Sequence, residues 1–109
     1  MAIQEISVDE LATKIQIDPA LRLIDVREID EYSDGHVTGA RLVVLGTVAD
    51  NVDAFRGDGP SYVICRSGGR SMRACEFLDG QGLDVINIAG GTMDWITSGR
   101  EVVTGDQPS

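Results

Sequence analysis

The sequence predicts an α/β domain built on a mainly parallel sheet. Short β-branched runs recur along the chain, and segments with helical spacing lie between them. One of those strands runs into a cysteine and a glycine loop, which is where ligands bind in open sheets of this kind. Taken in order, Ile3 to Ile6 reads as a short first strand. Ser7-Val8-Asp9-Glu10 then carries a capping-box pattern, with Ile6 and Leu11 spaced as a hydrophobic staple. Leu11 and Ile15 form the buried stripe of that helix, which ends by Asp18-Pro19. Leu21 to Val26 and Ala40 to Leu45 read as strands, and Ala49 to Phe55 as a short helix closed by Gly57-Asp58-Gly59-Pro60. Tyr62 to Cys65 is a compact strand. Ser71, Ala74, Cys75 and Leu78 follow at helical spacing, with Gly82 as the stop. Asp84 to Ile88 is the last strand, and a short helix carrying Trp95 closes near Gly99.

A chain of 109 residues is expected to be one domain, with a core over about 3–103 and a C-terminal tail at 104–109, and Val102 to Ser109 reads as loosely held. Eighteen acids against nine bases give a formal charge of −9, which argues against nucleic acid or an anionic membrane as partner. Two cysteines and one histidine cannot fill a four-ligand zinc site, and no metal or cofactor is expected. The first residues are acidic and no apolar stretch follows them, while the longest aliphatic run is only Leu42 to Leu45. A soluble, cytoplasmic monomer is the expectation.

The chemistry is concentrated in Tyr62-Val63-Ile64-Cys65-Arg66-Ser67-Gly68-Gly69-Arg70-Ser71. Gly68 and Gly69 permit positive φ, so successive N–H groups can turn inward as a nest for an anion. The helix beginning near Arg70 aims its N-terminal N–H groups at the same point. A thiol placed there is expected to have a lowered pKa, and Arg66 and Arg70 can hold an anionic substrate. No acidic residue lies between Gly59 and Cys75, whereas Arg66, Arg70 and Arg73 fall within it. From the residues alone, Cys65 is either the nucleophile of such a cradle or a buried strand-end thiol beside an ordinary turn. Cys75, on the apolar face of the helix, reads as a packing residue.

These residues resemble the single-domain rhodaneses, a family of sulfurtransferases. Four segments carry the likeness: LIDVREIDEYSDGHVTGA (23–40), YVICRSGGRS (62–71), GLDVINIAGG (82–91) and GGTMDWITSGREV (90–102). The chain departs from the family's frequent GHIPGA and IPL at Val37-Thr38 and Val44-Leu45, in connecting segments. The resemblance implies a five-stranded parallel sheet flanked by helices on both faces. It also implies a persulfide on Cys65, surrounded by backbone amides of Arg66, Ser67, Gly68, Gly69, Arg70 and Ser71, with Arg70 closing the loop. Asp25, Arg27 and Glu28 could suggest acid–base work, but the family uses this segment to tie the strand end to its neighbouring loops. His36 and Trp95 are read likewise as supporting residues.

The expected activity is therefore a thiosulfate sulfurtransferase working by a ping-pong scheme through Cys65. Its partners would be a small anionic sulfur donor and a cyanide, thiol or protein acceptor. A persulfide carrier serving a protein partner is the nearest alternative. A cysteine phosphatase or arsenate reductase is less favoured, because such enzymes place five residues between cysteine and arginine. Here four, Arg66 to Gly69, separate Cys65 from Arg70.

Overall fold

A computed structural model describes residues 2–109. The chain runs β1 (Gln4–Ile6), α1 (Val8–Ile17), β2 (Arg22–Asp25), α2 (Ile29–Asp34) and β3 (Arg41–Leu42). Two 3₁₀ turns, Leu45–Asp50 and Val52–Phe55, follow. Then come β4 (Ser61–Ile64), α3 (Gly69–Gly80), β5 (Val85–Ile88) and α4 (Gly91–Thr97). The five strands form one sheet in the order β1-β5-β4-β2-β3, and every pairing is parallel. Ser7 caps α1 as its sequence pattern requires: its hydroxyl accepts from Glu10 N at 3.2 Å.

Because the inner strands are covered on both sides, their residues alternate between two cores. Leu23, Tyr62, Ile64, Ile86 and Ile88 pack with Leu11, Tyr32 and Trp95, so α1, α2 and α4 cover one face. Ile24, Val63, Cys65 and Val85 pack with Val48, Phe55, Ala74, Cys75 and Leu78, so α3 and the 3₁₀ turns cover the other. Cys65 thus leaves the end of a central strand on the α3 side, one residue beyond the last paired position of β4.

Four expectations need correction. The strand expected over Ala40 to Leu45 is limited to Arg41–Leu42. It is an edge strand, and the N–H and hydroxyl of Thr47 both take the Val44 carbonyl, at 2.8 Å each, which winds the chain into a 3₁₀ turn. The single helix expected over Ala49 to Phe55 is two 3₁₀ turns, separated at Asn51, where φ is −127°. Helix α2 has no counterpart in the sequence reading. It is six residues long and its N-cap is Glu28, so it lacks the usual cap signal.

The tail is the fourth correction, since backbone bonds hold it. Gly105 N donates to Ser33 O at 2.9 Å, Gly39 N to Pro108 O at 2.9 Å, and Val103 bridges His36 in an antiparallel pair. The buried His36 ring stacks on Tyr32 at 3.7 Å between centroids, and its Nε2 meets Gln107 O at 2.8 Å. Removing residues 105–109 should therefore destabilise the fold by about 1–3 kcal/mol, because buried polar groups lose their partners. Urea unfolding of the shortened chain checks this, and an unchanged midpoint would restore the loosely held tail.

Candidate active site

The loop after β4 folds around the Cys65 sulfur. Gly68 N donates to Sγ at 3.1 Å and the Ser71 hydroxyl donates to it at 3.3 Å. Gly68, the N-cap of α3, has φ +111°, which turns its N–H inward while its carbonyl points away. That carbonyl is held by two donors, Met72 N at 3.1 Å and Asn87 Nδ2 at 3.2 Å, while the Ser71 hydroxyl, whose one proton serves Sγ, lies 3.3 Å from it. Burial pushes the Cys65 thiol up, but the Ser71 hydroxyl and the N–H groups of Ser71, Gly68 and Ser67 outweigh it. The net effect holds Cys65 below an ordinary thiol.

A second clamp acts on the Cys65 carbonyl, which accepts from Thr92 N at 2.9 Å and from Thr92 Oγ1 at 3.0 Å. The Arg66 carbonyl accepts from Met93 N at 2.9 Å. This close passage explains Gly91: a Cβ there would stand 2.5 Å from the Cys65 carbonyl oxygen, and φ is +58°. Gly69 differs from expectation. It opens α3 without positive φ, and a Cβ on it would meet nothing within 4 Å.

Arg70, expected to close the loop, is paired with Glu31. Its Nη1 and Nη2 donate to Glu31 Oε1 and Oε2 at 2.7 and 2.8 Å. The same Oε1 accepts from Glu28 N at 3.1 Å, so one carboxylate caps α2 and holds the arginine. The bond from Arg70 holds the Glu31 carboxyl down at about 2. Any stability this shift supplies is complete above the usual carboxyl range and is lost as pH falls toward 2. The positive island expected from the sequence is thus partly neutralised by an acid 39 positions away. Arg66 is exposed.

Among the expected supporting residues, Asp25 and Arg27 form a buried bidentate pair at 2.7–3.1 Å, and Arg27 Nη2 also reaches Gly35 O at 2.9 Å. His36 is not bonded to Cys65; its Nδ1 meets Tyr32 O at 2.8 Å. Trp95 packs in the α1/α4 core, and its Nε1 donates to Glu101 O at 2.9 Å. Cys75 is buried against the sheet, and burial together with nearby acids, Glu5 first, pushes its thiol up to about 12. Glu31, Asn87 and Thr92 were not singled out from the sequence as site residues. Asn87 alone carried a signal, as a polar residue in an otherwise apolar strand.

The profile of the rhodanese-like domain family matches residues 7–98, most of the sheet and the whole cysteine loop. The chain belongs to the rhodanese-like domain family. It is similar to a putative sulfurtransferase, YtwF, of Bacillus subtilis, at 41% identity over 87% of this chain and 92% of that protein. It also resembles the thiosulfate sulfurtransferase GlpE of Pseudomonas putida, at 33% identity over 79% of each chain. A rhodanese-related protein of Thermoplasma volcanium has a similar structure, with TM-score 0.84 and 29% identity over 94% of this chain and 99% of that one. No helix among the described residues is long and apolar enough to cross a membrane.

The rhodanese loop makes the donors to Sγ directly testable. Ser71→Ala removes one of them, so the thiol pKa should rise and alkylation by iodoacetamide at neutral pH should slow roughly tenfold. Unchanged alkylation would show that the hydroxyl does not stabilise the thiolate.

Proposed function

We propose that this rhodanese domain transfers a sulfane sulfur through a persulfide on Cys65. The observation that carries this is the short loop between Cys65 and Arg70, which directs the Gly68 N–H and the Ser71 hydroxyl onto a single sulfur atom. In the first half-reaction the Cys65 thiolate attacks the outer sulfur of thiosulfate. The Sγ–S bond forms, the S–S bond of the donor breaks, and its electron pair leaves with sulfite. In the second, cyanide or a thiolate attacks the outer sulfur and leaves with it, which restores the Cys65 thiolate.

The donors to Sγ support the thiolate before attack and the anionic persulfide after it, so one set of N–H and O–H groups serves both steps. Thiosulfate as donor is supported by the likeness to GlpE and by the arginines of the loop. Asp25 and Arg27 are structural supports in this reading, as are His36 and Trp95. The pairing of Arg70 with Glu31 limits its role: it closes the loop, while an incoming dianion meets a largely neutral ion pair. A high KM for thiosulfate is consistent with that arrangement and with the acidic total charge. Because the nucleophile is the thiolate, the first step slows as pH falls through the Cys65 pKa, which lies below the ordinary thiol value.

Incubation with thiosulfate followed by intact-mass spectrometry tests the proposal. The wild type should gain one sulfur atom, lose it to cyanide with release of thiocyanate, and fail to gain it as Cys65→Ser. Absence of sulfur uptake from any sulfane donor would overturn the reading. Turnover of an aryl phosphate would favour a phosphatase instead.

A further inference from the structure

We propose that Glu31 determines how the site discriminates between sulfur donors by charge: in pairing Arg70 it makes a second negative charge on the donor unfavourable. The inference rests on the Cys65 persulfide reading and concerns its donor. Thiosulfate is a dianion, whereas an organic thiosulfonate presents the same transferable sulfur with a single negative charge.

The ion pair acts on the sulfur and on whatever approaches it. Arg70 precedes Ser71, whose hydroxyl is 3.3 Å from Sγ. The Arg70 guanidinium is pushed up by its bond to Glu31 first, and the charge of Cys65 adds to this, so sulfur and ion pair share one field. Such a field persists over about 8 Å in physiological salt, so it reaches a donor without contact. Both side chains are partly open to solvent, at 34% for Arg70 and 28% for Glu31.

The start of α2 does not explain the charge on Glu31. As the third residue of the helix it accepts from Glu28 N at 3.1 Å, while the Glu28 side chain accepts from its N–H. Glutamine serves a capping box as well as glutamate does, so an amide would suffice there. Holding Arg70 through both oxygens, at 2.7 and 2.8 Å, requires the carboxylate. Oε1 serves Glu28 N and Arg70 Nη1 together, so moving the carboxylate off Arg70 disturbs the helix start. The bond from Arg70 holds the Glu31 carboxyl at about 2, so protonation does not release the arginine at neutral pH.

The neighbouring charges leave this pair decisive. Arg27 is matched by the buried Asp25, and Arg66 is exposed and forms no ion pair among the described residues. The positive charge that Arg70 would offer a donor is cancelled by Glu31 alone. Coulomb energy scales with the charge of the donor, so the carboxylate disfavours a dianion twice as strongly as a monoanion.

The donor step balances in both cases. The Cys65 thiolate attacks the outer sulfur, the Sγ–S bond forms and the S–S bond of the donor breaks. Its electron pair leaves with sulfite from thiosulfate, or with methanesulfinate from methanethiosulfonate.

The test measures kcat/KM for thiosulfate and for methanethiosulfonate, with cyanide as acceptor and thiocyanate as the readout. In a ping-pong scheme this constant reports the donor half-reaction alone. Glu31→Gln should raise it roughly tenfold for thiosulfate and about threefold for methanethiosulfonate. Arg70→Gln should lower the ratio of the two constants about threefold, and the double variant should return it to the wild-type value, because the local charge is restored. A latch that only ties the loop to α2 would change both donors by one factor, and the second substitution would not repair it. Thermal melts verify folding, and Arg70→Gln carries the comparison if Glu31→Gln does not fold. A ratio unmoved in either folded single variant, or still displaced in the double, would overturn the role of Glu31. Sulfur loading of the wild type, read by intact mass, would then leave the persulfide reading standing. Failure of the wild type to load from either donor would overturn both.

Discussion

The site depends on the backbone conformation of one residue, Gly68, whose φ of +111° aims its two flanking peptide groups in different directions. The N–H of Gly68 points at the Cys65 sulfur, while its carbonyl is turned the other way and accepts from Met72 N and Asn87 Nδ2. Each of those donors comes from an element fixed for another reason. Met72 belongs to the first turn of α3, whose apolar face is buried on the sheet. Asn87 is the buried polar position of β5, paired with β1 and β4. A sulfur anion at this place is therefore stabilised by groups that the fold has already oriented, with little reorganisation left for the moment of reaction.

The backbone clamp from α4 completes the constraint. Thr92 and Met93 hold the carbonyls of Cys65 and Arg66, and Gly91 allows the two segments to pass at a distance no side chain would tolerate. The strand end is thus gripped from both sides, by α3 through the sulfur and by α4 through the carbonyls. The arginines then divide their tasks. Arg27 ties β2 to the turn before β3, Arg70 joins the loop to α2 through Glu31, and Arg66, exposed at the start of the loop, forms no ion pair among the described residues. In the proposed transfer, an acidic protein would receive a small anion here because local N–H groups act over a few ångströms while the overall field is screened.

Most of this was legible in the sequence. Segments LID, YVI and VINI are buried on both faces, so they stand out as continuous apolar runs. The cysteine loop was legible because its glycines, hydroxyls and arginines crowd into ten positions. Helix α2 was hidden by its length and its glutamate cap, and β3 looked longer because Val43 and Val44 favour strands although Thr47 turns the chain. The tail escaped notice because it is held by backbone carbonyls, which leave no mark on side-chain pattern. Glu31 escaped for a related reason: its pairing with Arg70 spans 39 positions, and local spacing does not encode such contacts.

The central claim is that this loop stabilises an anionic sulfur at Cys65, and the thiolate itself can be titrated. Ultraviolet absorbance of a Cys75→Ala chain, followed across pH, reports Cys65 alone. The account predicts that the thiolate forms well below the range of an ordinary cysteine. A titration at or above that range would contradict it, whatever the protein is later found to transfer.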